Sequence, residues 1–366
     1  MSSSIDSIKL HKCAMIGRFS KSDDVKGSIQ LLTTLIPLIV LWWVTMLCAP
    51  TFPWVAIATV PLITLLTLRV FALMHECGHG SLFRRHPLNR AAGFLLGVVA
   101  GMPQYVWSQH HSYHHTHNGN WEKYRGPYAT LSVEEYAALS AGQQRLYRFK
   151  CSIAAAPIAG FIYLIFNPRF TWIKGSAGLL LHVIAGKLRR PDVSLREQVA
   201  SYRCRYWKTV REYRHMSANN IVLLSIWASM CWACGSALFF GIYLLSLSIA
   251  GGIGIVLFTV QHNFEHAYAS SSDRWDCDTG AIEGTSFLTL PSWLNWFTAN
   301  IGYHHIHHLF ANIPNYRLAD CHAEYEHLFA GVTRVKLSQV AGALKCILWD
   351  QHARQIISVA EYRQRT

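Results

Sequence analysis

The chain has 366 residues, a hydrophobic fraction of 51%, a charged fraction of only 14% and a formal charge of +13. Soluble domains carry about 25% charged residues, so this composition, with its 13 Trp, 17 Phe and 16 Tyr, argues against a soluble fold and for a membrane. The positive charge admits two readings, nucleic-acid binding or a cytoplasmic face rich in Lys and Arg, and its placement along the chain decides between them.

The first residues, MSSSIDSIKLHKCAMIGRFSKSDDVKG, are polar and basic without an apolar core, so no cleavable signal peptide is expected. Residues 28–48 carry no charge over about the ~20 residues that a spanning helix needs. A break at 49–53 leads into a second apolar run, 54–75, whose one charge is Arg69. That arginine belongs in a polar bundle interior or near the interface. A second pair of runs, 219–241 and 242–262, is joined by almost nothing. Four spans in two hairpins are therefore expected. The stretches 91–107 and 151–166 are apolar but short, and read as interfacial or partly inserted helices.

The hairpin tips 49–53 and 238–243 hold no Lys or Arg. Basic flanks stay in the cytoplasm, so both termini and the long middle segment are assigned to the cytosol, and no nucleic-acid partner is needed. The expected fold is an all-α integral membrane protein. It has a cytosolic segment, 1–27, then one membrane domain, 28–366, with two transmembrane hairpins, interfacial helices and a cytosolic helical cap. The basic segment 187–214 reads first as a solvated face near anionic lipid. A dock for an acidic electron donor or an anionic head group is the functional alternative. Cys231 and Cys234 form a C-x-x-C inside an apolar run, where small core residues are the simpler reading.

Histidines carry the chemistry. They cluster in HECGH (His75, His79), in QHHSYHHTHNGN (His111, His114, His115), in QHNFEH (His262, His266) and in IGYHHIHHLF (His304, His307, His308). Spacings of three or four residues put side chains on one helical face. His75 and His79 end the second span, and His262 and His266 end the fourth, so all four clusters meet at one membrane face. Zinc takes four ligands. Ten imidazoles are too many for one ion and suit two metals side by side, of a kind that binds neutral imidazole. Such a nitrogen-rich site at a membrane suggests oxygen chemistry on a lipid. HECGH alone also fits an intramembrane H-E-x-x-H metalloprotease with Glu76 as base, but that reading leaves the other clusters unused. A carboxylate di-iron bundle finds only Glu76–His79 and Glu324–His327 as matches.

H-x-x-x-H, then H-x-x-H-H, then a late H-x-x-H-H, laid over two hairpins between about residues 30 and 320, resembles the integral-membrane fatty acid desaturases. HECGHGSLF, VQHNFEHAY and NIGYHHIHHLFANIPNYRL look most like the bacterial acyl-lipid members. The resemblance implies two iron ions held by His75, His79, His111, His114, His115, His266, His304, His307 and His308. His262 is a less directly implied ligand, because some relatives have asparagine there. Asn118 and Glu265 are candidates to hydrogen-bond imidazole N–H groups. His110, His117 and His305 fall outside the boxes.

The resemblance further implies dioxygen as co-substrate, and a fatty acid or fatty acyl lipid that gains a double bond. Its acyl chain would enter a tunnel lined by Trp and Tyr from 91–107 and 287–297. Electrons would come from a separate donor of the ferredoxin or cytochrome b5 type, in a bacterial inner membrane rather than the endoplasmic reticulum. The same boxes serve hydroxylases, acetylenases and fatty acid decarboxylases that form terminal alkenes.

Overall fold

The computed structural model describes residues 2–126 and 129–365. Its principal helices, numbered in chain order, are α1 (Ser2–Phe19), α2 (Asp24–Cys48), α3 (Trp54–His79), α4 (His86–Val99), α5 (Gln104–His117), α6 (Ile153–Arg189), α7 (Val210–Cys234), α8 (Ser236–His262), α9 (His304–Leu309) and α10 (Asn315–Glu324). Among the described residues, α2, α3, α6, α7 and α8 are long and apolar enough to cross a membrane. That is one more than the four spans expected. The apolar stretch at 151–166 continues into Asn167–Arg189 without a break, so α6 runs for 37 residues and contains a π-turn at Ile162–Phe166. Helices α4 and α5, from the other ambiguous stretch, have 14 residues each, short of a span. Ile36, Ile39 and Trp43 on α2 are exposed by 56%, 65% and 64%. Large apolar side chains held outward along a helix suit a lipid environment rather than water.

Local signals set the helix ends. Asp23 caps α2, its side chain accepting from the amides of Val25 and Lys26 at 2.8 and 3.2 Å. Gly80 ends α3 immediately after His79 with φ 71°, a conformation natural to glycine. The second hairpin breaks at Gly235, with φ 84°, not at 241/242 as the sequence suggested. Hydropathy is continuous through 235, so only the backbone turn marks the break.

Arg69 is 2% exposed in the middle of α3. Its Nε donates to Thr34 Oγ1 at 2.9 Å, and its Nη2 donates to Gln30 Oε1 at 3.2 Å. Its Nη1 donates to the carbonyl of Trp296, whose ring lies 3.9 Å from the guanidinium carbon. A charge inside a bundle is tolerable only with such partners, and these tie α2 and α3 to the segment before α9.

α6 packs on α8 through glycines. A Cβ on Gly160 would lie 2.2 Å from Ser248 O and 2.3 Å from Gly252 N, and backbone atoms cannot rotate aside. Gly160→Val is expected to push the helices apart and cost at least about 1–3 kcal/mol. Thermal unfolding of the detergent-solubilised protein checks this. An unchanged midpoint would show that the contact has slack.

The cap is not purely helical, which corrects the all-α expectation. β1 (Leu131–Ser132) pairs in parallel with β4 (Cys346–Asp350), which pairs antiparallel with β5 (Gln355–Ser358). β2 (Phe287–Thr289) pairs in parallel with β3 (Arg334–Lys336). CILWD and QIIS are rich in β-branched and aromatic residues that favour strands, but each is too short to announce itself beside the long helices. α1 lays Ile8, Met15 and Phe19 against Ile306, Leu309 and Leu318, which puts the N-terminal segment over α9.

Candidate metal centre

Four elements converge on one site. His75 and His79 occupy the last turn of α3, with ring centroids 4.7 Å apart. His111, His114 and His115 lie on α5, His262 is the last residue of α8, and His304, His307 and His308 lie on α9. Their ring nitrogens form two groups, each with all donor atoms within 4.8 Å of one another. One is His75, His79, His111, His115 and His307; the other is His114, His262, His304 and His308. His115 and His308 stack at 4.1 Å and 7°, which places the groups side by side.

Several of these ring nitrogens have no partner. His79 Nε2, both nitrogens of His307, and the Nδ1 atoms of His114, His115, His304 and His308 are buried without a hydrogen-bond partner. Such orphans are costly and demand an explanation. Nε2 atoms also approach one another, at 2.9 Å between His304 and His262 and at 3.0 Å between His115 and His111. Burial first, and neighbouring imidazoles second, hold His111, His114, His115, His304, His307 and His308 well below the usual histidine pKa. They are neutral at pH 7, the state that ligates metal. A pair of cations that prefer imidazole answers the close approach of the Nε2 atoms, the neutral rings and the unpartnered nitrogens of His79 and His307.

The structure departs from the resemblance at QHNFEH. His262 lies in the second group, 6% exposed, whereas His266 lies outside both. The spacing of four assumed a helix through 266, but α8 stops at His262. His266 has φ 64° and a side chain 54% exposed, 3.5 Å from Glu361. Glu265 is exposed beside it and meets none of the nine converging imidazoles. Asn118 is buried and donates to the carbonyls of Gly280 and Gly284 at 2.7 and 3.3 Å. It reaches the site only through Gly284 O, 3.4 Å from His262 Nδ1.

His110 is exposed, and His117 stacks on Tyr113 at 4.1 Å. His305 is buried, with its Nε2 3.1 Å from Nδ1 of His322, a partner that the sequence did not suggest. From the expected tunnel lining, Trp107 stacks on His111 at 4.6 Å and donates to Tyr163 OH at 2.6 Å. Trp296 instead covers Arg69.

Glu76 has a different task from the one that H-E-x-x-H suggests. It is 1% exposed, and its Oε2 accepts from Asn315 N at 2.9 Å and Ser81 Oγ at 3.0 Å. Its Oε1 lies 3.3 Å from His75 Nδ1. Asn315 also bonds Gln30, the partner of Arg69, so this carboxylate joins α3 to the start of α10 and stands behind His75. A carboxylate so engaged is not free to serve as a hydrolytic base. Glu324, of the other E-x-x-H match, sits at the surface with Arg18 at 2.7 Å. Glu76→Ala strands the Asn315 amide, at a cost of about 1–3 kcal/mol. It also frees the His75 ring, so metal affinity is expected to fall about 10–100-fold, as read by metal analysis after dialysis. Glu76→Gln, which keeps an acceptor, should recover part of the loss.

The fatty acid desaturase family matches this chain over residues 51–336. A fatty acid desaturase of Bacillus subtilis is 30% identical over 94% of this chain and 88% of its own length. The sn-1 oleoyl-lipid 12-desaturase of a Picosynechococcus species is 23% identical over 86% of this chain and 82% of its own. A chloroplastic omega-3 fatty acid desaturase of Ricinus communis is 25% identical over 69% of this chain and 49% of its own.

Proposed function

The chain belongs to the fatty acid desaturase family, and from that premise we propose that it is an oxygen-dependent, di-iron desaturase of a membrane fatty acyl lipid. One iron is assigned to His75, His79, His111, His115 and His307, and the other to His114, His262, His304 and His308. The observation that carries this reading is the convergence of nine imidazoles, six of them buried, in two adjoining groups, the donor atoms of each lying within 4.8 Å of one another. Ions of six coordination positions would keep one position open in the five-imidazole group and two in the four-imidazole group. When bound, the irons supply dioxygen activation and hydrogen removal from an unactivated carbon, using electrons from a separate ferredoxin- or cytochrome b5-type protein.

The chain's own part is to position and to exclude water. Helix spacing holds the imidazoles in ligating positions, so little reorganisation is needed to bring them to the metals. Trp107 against His111, and Phe258 against His114 and His262 at 4.9 Å, present an apolar wall to an alkyl chain. The ends of α3 and α8 meet at one site, which needs an even number of crossings between them, so α7 and α8 form the second hairpin and α6 stays on the site's side. The basic flanks support a cytosolic side, and a bacterial inner membrane goes with the likeness to the Bacillus subtilis relative.

Product and metal analysis test the proposal together. Protein purified without chelators should hold close to two irons per chain. With a labelled acyl lipid, a reducing system and dioxygen, it should yield an alkene two hydrogens lighter than the substrate. An added oxygen would make it a hydroxylase, loss of carbon dioxide a decarboxylase, and stoichiometric zinc in place of iron would overturn the di-iron reading.

A further inference from the structure

Residues 187–214 carry nine lysines and arginines against three carboxylates, and the chemistry above uses none of them. Two of those carboxylates are occupied. Glu197 accepts from Ser194 N and Oγ at 3.1 and 3.0 Å. Glu212 accepts from Lys208 N at 2.8 Å and Thr209 Oγ1 at 3.2 Å. Among the described residues, no lysine or arginine of this segment sits in an ion pair. The local positive charge stays uncompensated.

Within the segment lies a cavity of about 230 Å³, several times the ~30 Å³ that a water occupies in the liquid. Tyr202, Trp207 and Tyr213 wall it, Arg203 and Lys208 supply its charge, and no carboxylate lines it. Arg203 spends Nη1 on the carbonyls of Ala200 and Tyr202 at 2.7 and 3.2 Å. That steadies the guanidinium and leaves Nε and Nη2 to donate elsewhere. The walls are seated in glycine gaps of α6. A Cβ on Gly175 would lie 2.3 Å from the Trp207 ring, and one on Gly178 2.3 Å from Tyr202 OH. The cavity is thus held by packing rather than by side chains that happen to lie close.

Leu179 lines the cavity, and α6 continues past it with Leu181, Ile184 and Leu188 exposed by 67%, 48% and 81%. The hollow lies on one face of α6, and the opposite face of the same helix is apolar and exposed, as suits a helix that meets the bilayer surface. Aromatic rings and basic side chains together suit the level of lipid head groups. An acidic protein would need a broad contact of about 800 Å² per partner, and a hollow of this size instead matches a single head group. We propose that this cavity binds the phosphate of an anionic membrane lipid. The site is separate from the proposed oxidation chemistry, and its test needs no turnover.

The full chain, delipidated in detergent, is titrated with phosphatidylglycerol, with phosphatidylcholine of the same chains, with inorganic phosphate and with an acidic ferredoxin. Binding is read by native mass spectrometry and by the rise in unfolding temperature. Phosphatidylglycerol should bind more tightly than either comparator. Arg203→Gln/Lys208→Gln should weaken it about thirtyfold, about fivefold for each basic residue lost near an anionic head group. Lys208→Arg should retain it, and Arg189→Gln/Arg190→Gln, outside the cavity, should leave it unchanged. Unfolding without lipid verifies that each variant is folded. Four results would overturn the proposal. They are equal binding of the two lipids, equal loss in the control pair, inorganic phosphate binding as tightly as lipid, or a cavity variant that loses an acidic ferredoxin and keeps the lipid.

Discussion

His307→Ala should reduce turnover by more than about a hundredfold, since losing even a group behind a metal ligand costs about 10–100-fold. His307 is 0% exposed, both of its ring nitrogens are buried without a partner, and it sits in the five-imidazole group. Its ring centroid lies 4.6 Å from that of His75 and 4.7 Å from that of His115, so no other imidazole can take its place without dragging a helix. The spans are untouched, and the variant should still insert and unfold cooperatively. Metal per chain should fall with activity. Added imidazole, entering the space left by the ring, should restore part of both. Full activity in the variant would remove His307 from the ligand set.

The second large effect distinguishes two histidines four residues apart. His262→Ala should behave like His307→Ala, because His262 packs against His304, His114 and His308 with centroids 4.6–4.8 Å away. His266→Ala should keep metal and turnover close to the parent's, because His266 faces Glu361 at the surface. The family resemblance alone implies the opposite order. Parallel metal and product measurements on the two variants decide it: inactivity of His266→Ala alone would show that the chain after α8 rearranges when metal binds.

Much of this was legible along the chain, for identifiable reasons. Hydropathy is a local sum, so the runs that became α2, α3, α7 and α8 stand out without tertiary knowledge. Spacing within a helix is also local: His75 with His79, and His111 with His114 and His115, share a face wherever the helix goes. Composition and the three boxes were enough to place the chain in its family.

What lay beyond the sequence depends on contacts between segments distant in it. α8 ends at His262 where Ser286 N donates to Gln261 O at 3.0 Å and Gly284 O faces the His262 ring. No spacing rule contains that loop, so His262 and His266 could be ordered only in three dimensions. Likewise, the division of nine imidazoles into five and four is set by how α3, α5, α8 and α9 cross, through the Arg69 and Glu76 networks. Glu76 was visible in HECGH, but its partner Asn315 lies 239 residues away, and only that contact shows it to be a brace. Hydropathy and histidine spacing along the chain announce a membrane protein with histidine-rich helix ends. Which histidines meet is visible only in the packed fold, because helical periodicity is written locally and helix packing is not.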